Sequence, residues 1–194
     1  MLNHNHFRAA LAAFSIATLA ASPAHAEVKK FMSMCGGSPQ GLQLCPHYQV
    51  ALHAPDGWQE DEAAGKKNRL QIVVPKGKTF GDAPALIYFK VSLRQKDRSI
   101  EDFIKLSHEH WMKSVPDAKI VRLGEVERTN GKPAFMSYRF DNPSKPQQAA
   151  EIVSYGFDAD TDGNDFVLMV VMTGHEKKAL DQADQPYKAL LRAH

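Results

Sequence analysis

The run Phe166-Val167-Leu168-Met169-Val170-Val171-Met172 is apolar on both of its alternating faces. A strand of that kind has no side to show to water, so it must lie centrally in a sheet, covered above and below. That requirement dominates the reading of the rest of the chain, which must supply strands for the two neighbours and helices for the two faces.

The remaining patterns meet it. Ile87, Phe89, Val91 and Leu93 alternate with Tyr88, Lys90, Ser92 and Arg94, which predicts a strand with one face in the core. Tyr48–Ala54 alternates and stops at the turn Pro55-Asp56-Gly57; Leu70, Ile72 and Val74 alternate and stop at Pro75. Ser99, followed by Glu101 and Asp102, reads as a helix N-cap, and Ile100, Phe103, Ile104 and Trp111 share one helical face up to Pro116. Further strands are expected at about 118–128, 133–140, 150–158 and 164–173, with hairpin signals at Asn130-Gly131 and Asp160–Asn164. A last helix begins near Glu176, carries Ala179, Leu180 and Ala183, and restarts at Pro186 before Tyr187, Leu190 and Leu191. Strand-strand-strand, helix, four strands, helix, with short connections, predicts an α/β (α+β) fold: an antiparallel β-sheet flanked by helices. No repeat divides the chain, so residues 47–194 are expected to form a single domain.

Residues 1–26 read as a targeting segment. Arg8 precedes a mostly apolar run from Ala9 to Ala21, then Ser22-Pro23, then the A-x-A pattern Ala24-His25-Ala26. The run is well short of the roughly 20 residues that span a bilayer. A cleavable signal peptide, a product starting at Glu27, a periplasmic location and no stable membrane insertion after cleavage are the expectations. In that oxidising compartment Cys35 and Cys45, the only two cysteines, are expected to form a disulfide that staples residues 27–46. Nine intervening residues do not resemble a redox C-x-x-C pair.

Lys+Arg 24 against Asp+Glu 22 gives a net charge of +2, too balanced for a general nucleic-acid binder. Asp158, Asp160 and Asp162 stand in the order of a calcium loop, D-x-D-x-D-G, but the twelfth position is Met169 where a bidentate acid is needed. The turn is read as a polar hairpin connection, with weak calcium binding as the alternative. His108 and His110 lie roughly 200° apart on the predicted helix and cannot converge on one metal. Lys66-Lys67-Asn68-Arg69 reads as a solvated loop, and Gly36-Gly37 as glycines of the stapled loop. No nucleophile elbow, P-loop or dinucleotide fingerprint is present, so no catalytic residue and no cofactor is assigned.

The segment Val50-Ala51-Leu52-His53-Ala54-Pro55-Asp56-Gly57-Trp58 resembles the strand, Pro, Gly-Trp opening of PsbP-like proteins, which include the photosystem II extrinsic P subunit and bacterial DcrB-like periplasmic proteins. Ser99–Trp111 resembles the mid-chain helix of that family. Phe166–Thr173 with Pro186–Leu191 resembles its terminal strand and helix. The resemblance implies a PsbP-like αβα sandwich and a non-catalytic binding or accessory role, through an envelope protein partner or a small ligand. The alternatives are a metal- or small-molecule-dependent periplasmic enzyme, and an immunity or inhibitor protein against a periplasm-acting toxin.

Overall fold

The computed structural model describes residues 28–38, 41–145, 150–160, 162–174 and 176–194, with backbone alone at residues 33, 35–38 and 42. The targeting segment expected at 1–26 lies outside the described residues. The elements are β1 (Val28–Ser38), β2 (Gly41–Val50), β3 (Trp58–Glu60), α1 (Glu62–Asn68), β4 (Gln71–Pro75), β5 (Ala85–Leu93), α2 (Ile100–Ser114), β6 (Lys119–Val126), β7 (Phe135–Asp141), β8 (Ala150–Ala159), β9 (Asp165–Gly174) and α3 (Lys177–Ala193).

Seven strands form one antiparallel sheet in the order β3-β4-β5-β9-β8-β7-β6. Two meanders, β3-β4-β5 and β6-β7-β8-β9, join where β9 pairs with β5. The doubly apolar strand is therefore the fourth of seven, as its composition demands. Its residues Phe166, Leu168, Val170 and Met172 face α3, where Leu180, Ala183, Tyr187, Leu190 and Leu191 are buried. Val171 and Met169 face α2, against Ile100 and Ile104. Burying each such side chain contributes about 1.5–3 kcal/mol, so the amphipathic faces fix both helices to the sheet. The fold is thus α+β, an antiparallel sheet with a helix on each face.

Local chemistry sets the boundaries. Ser99 and Asp102 form a reciprocal capping box: the Asp102 N–H donates to Ser99 Oγ at 3.1 Å, and Asp102 Oδ2 accepts from the Ser99 N–H at 3.3 Å. Pro186 interrupts nothing, contrary to the expected restart. It lies inside a continuous α3, held by the buried Tyr187, Leu190 and Leu191 beyond it. The structure corrects two other readings. The strand expected at Tyr48–Ala54 ends at Val50, and its residues belong to β2, which begins at Gly41. The basic run at 66–69 is not a loop; it forms the last turn of α1 and its C-cap, and at the other end Asp61 accepts from the Ala64 N–H at 3.0 Å. Gly65 is required there, because a Cβ would sit 2.7 Å from the Leu70 carbonyl oxygen.

The segment expected as a stapled loop is a β-hairpin, β1–β2, and β2 runs through the expected boundary at residue 46. Its base joins the main core. Val28 and Val50 are buried, Tyr48 packs on Phe166 at 5.0 Å, and the Gln71 side chain pairs with both backbone groups of Val50 at 2.9 and 2.8 Å. Its outer part places Met32 opposite Pro46 and Met34 opposite Leu44 on one face, all exposed. Ser33 is opposite Cys45, and the backbone of Cys35 lies at the register shift two residues on. The Cys35 side chain is outside the described residues. No cysteine among the described residues is free.

Candidate functional site

An α-helix is about 10–12 Å wide and strands are about 4.8 Å apart, so one helix covers roughly two strands. α2 runs from the end of β5 to the start of β6 and packs its Ile100 and Ile104 stripe on Phe140, Val153 and Tyr155 of β7 and β8. Its other flank faces β9 and β5, touching the sheet through the Ser107 hydrogen bond to Tyr155 at 3.0 Å. A cleft of about 420 Å³ opens there. Phe103, Leu106, Ser107, His110 and Trp111 form its helical wall. Tyr88, Lys90 and Ser92 of β5, Met169 and Val171 of β9, and Glu151, Val153 and Tyr155 of β8 form its floor. The β5 face carrying Tyr88, Lys90 and Ser92 is therefore the floor of a pocket.

Strand register orders the floor. Lys90, Met169 and Tyr155 form one row, and Tyr88, Val171 and Val153 the next. Glu151 lies one row further again, aligned with Thr173 and Leu86. Four residues along β5 separate the Glu151 row from the Lys90 row, roughly 14 Å at strand spacing. The cleft is polarised: Lys90 and Arg98 stand at one end, the buried Glu151 carboxyl at the other, and aromatic rings lie between. Trp111 is oriented by its Nε1–H, which donates to Asn142 Oδ1 at 3.0 Å. Lys145 stands 4.8 Å over the indole ring.

Burial, with the Glu151 charge nearby, pushes the Tyr88 phenol far above its ordinary value. Burial pushes Tyr155 up to about 12, against a hydrogen bond to Ser107 at 3.0 Å that favours the ionised form. Both phenols stay protonated in neutral solution. Ser107 is therefore bonded to a neutral phenol and not to a base, so the hydroxyl is not an activated nucleophile. The two histidines of the His108-Glu109-His110 segment diverge, as their spacing requires. His110 lines the cleft, while His108 sits on the opposite flank of α2, edge-on to Tyr138 at 4.8 Å and Phe140 at 5.2 Å. Burial lowers the His108 pKa.

The acidic run separates. The Asp158 side chain is fully buried and ion-paired with Arg128 and Lys132. Arg128 also donates to the Phe157 carbonyl at 2.7 Å and to the backbone oxygen of His194, and its guanidinium stacks 4.8 Å over Phe135. Asp160 organises the β8–β9 turn, accepting from the N–H groups of Asp162 at 3.0 Å and Asn164 at 2.8 Å. The Asn164 side-chain amide, donating to it at 2.7 Å, and then these backbone bonds hold its pKa down. Asp162 is exposed. Among the described residues no three His, Cys, Asp or Glu side chains converge as a metal would need.

Sequence reasoning passed over Glu151 and Lys90. Each stands at an alternating position of a strand, and the only available signal was a charged residue on a face that a helix also has to cover. Comparison of the chain with protein-family models and with curated proteins finds no match.

Proposed function

We propose that this chain is a non-catalytic binding protein of the periplasm that holds a small ligand in the cleft between α2 and the β5–β9–β8 floor. The observation that carries the reading is the cleft itself. Its volume of about 420 Å³ lies in the range of small-molecule sites, and its walls are chiefly aromatic and aliphatic with a few polar groups at fixed places. The protonated Tyr88 and Tyr155 and the unactivated Ser107 favour binding over acyl-transfer chemistry. The resemblance to PsbP-like proteins and the signal-like Ala24-His25-Ala26 pattern support an exported, accessory role. The Cys35–Cys45 disulfide is part of the same proposal.

The neutral fluorophore N-phenyl-1-naphthylamine tests it. The protein should enhance the probe's emission saturably at one site, and Met169→Trp, which fills the cleft floor, should weaken binding at least about tenfold with an unchanged melting temperature. Equal binding by the filled variant would place the probe elsewhere and overturn the reading.

A protein partner is the second reading, favoured by Phe31, Met32, Met34 and Leu44, which are all exposed on the β1–β2 hairpin. Under it, Met34→Ser with Leu44→Ser abolishes association and leaves probe binding intact.

A further inference from the structure

We infer that the ligand of this cleft is an organic anion with an apolar, ring-sized body, its anionic head held by Lys90 and Arg98. The inference rests on the binding reading above and adds the ligand's chemistry. Lys90 and Arg98 come from different segments, the middle of β5 and the residue before the α2 N-cap, and both line the same cleft. Neither takes part in an ion pair among the described residues. The neighbouring Arg94 differs: it pairs with Asp165 at 3.6 Å and stacks 4.3 Å over Phe157. Asp102, which feels the Arg98 charge, has its carboxylate committed to the Ser99 cap at 2.9 Å and forms no ion pair with Arg98 among the described residues. Two cations thus face a largely apolar space, at an end where an anion gains attraction from both.

An anion is thereby oriented with its head at Lys90 and Arg98. Between the ends, Tyr88, Phe103 and Tyr155 offer ring faces and edges to a flat apolar body.

Two probes separate the parts of this inference. 8-Anilinonaphthalene-1-sulfonate is N-phenyl-1-naphthylamine with one sulfonate added. In low salt the sulfonate should bind at least about fivefold more tightly than the neutral probe, and 0.5 M NaCl should narrow the gap. Lys90→Gln with Arg98→Gln should close the gap by weakening only the anionic probe, with the melting temperature unchanged. Equal affinities for the two probes in the native protein, or a double variant that weakens both alike, would overturn the anion assignment and leave the cleft as a neutral-ligand site. Failure of both probes to bind would overturn the cleft reading together with it.

Discussion

Replacing Asp158 by Ala removes the counter-charge of two cations at once. Both the Asp158 and Arg128 side chains are fully buried, and Lys132 is only 19% exposed. The guanidinium would keep its bonds to the backbone oxygens of Phe157 and His194 but would sit uncompensated behind the Phe135 ring. Taking one partner from a buried ion pair costs about 3–5 kcal/mol. At about 2–4 °C per kcal/mol for a chain of this size, the melting temperature should fall by about 6–20 °C. Asp158→Asn keeps an acceptor and should lose less. Asp160→Ala removes an exposed turn cap and should cost about 0.5–1.5 kcal/mol. Asp162→Ala, at an exposed turn position, should stay within about 0.5 kcal/mol. Urea denaturation of the four variants, in chelator and in calcium, reads this ordering. The reasoning is refuted if Asp158→Ala and Asp162→Ala unfold at the same urea concentration. It is equally refuted if calcium stabilises the native protein and each of the three Ala substitutions erases that gain alike, the pattern of a shared cation site.

Other consequences are as specific. His194 is 1% exposed with both ring nitrogens lacking a partner among the described residues, and burial followed by the Arg128 charge brings its pKa down to about 4. The unfolded chain therefore takes up that proton first, and stability present above pH 6.5 is lost as pH falls, by about 3 kcal/mol on reaching pH 4. His194→Phe should flatten the urea midpoint between pH 6.5 and 4.5, and an unchanged pH profile would contradict the assignment. Gly156→Ala should destabilise by about 1–3 kcal/mol, because its Cβ would meet the buried Phe135 ring at 2.7 Å; Phe135→Leu should recover part of the loss in thermal melts. Intact-mass analysis of the exported protein should show a chain starting at Glu27 with no thiol alkylated before reduction; two reactive thiols would refute the Cys35–Cys45 pairing.

The legible part of the fold is the part written in periodicity. The composition of Phe166–Met172 requires a central strand, and Ser99 with Asp102 marks a helix start that the structure reproduces as a reciprocal cap. α1 escapes the same reasoning because seven residues with a glycine inside carry no apolar period; it forms because Asp61 caps it and Arg69 closes it at φ 56°. The β1–β2 hairpin was hidden by its glycines and cysteines, and it is fixed to the body by Gln71, twenty-one residues away from Val50. The candidate site was least legible. Alternation tells which β5 side chains share a face, but not that this face and α2 enclose a cleft between them. Nor does the spacing of Asp158, Asp160 and Asp162 reveal that Arg128, thirty positions earlier, takes the first of them into the interior.

The chain has two tryptophans, which makes the central claim directly observable. Trp58 packs in the α3-side core, and Trp111 lines the cleft with its indole N–H on Asn142. Two-dimensional ¹H–¹⁵N NMR of the protein titrated with 8-anilinonaphthalene-1-sulfonate follows both indole resonances at once. The account predicts a saturable shift of the Trp111 indole signal with Trp58 unmoved. A shift of Trp58 or of the β1–β2 hairpin amides with Trp111 unmoved would contradict it.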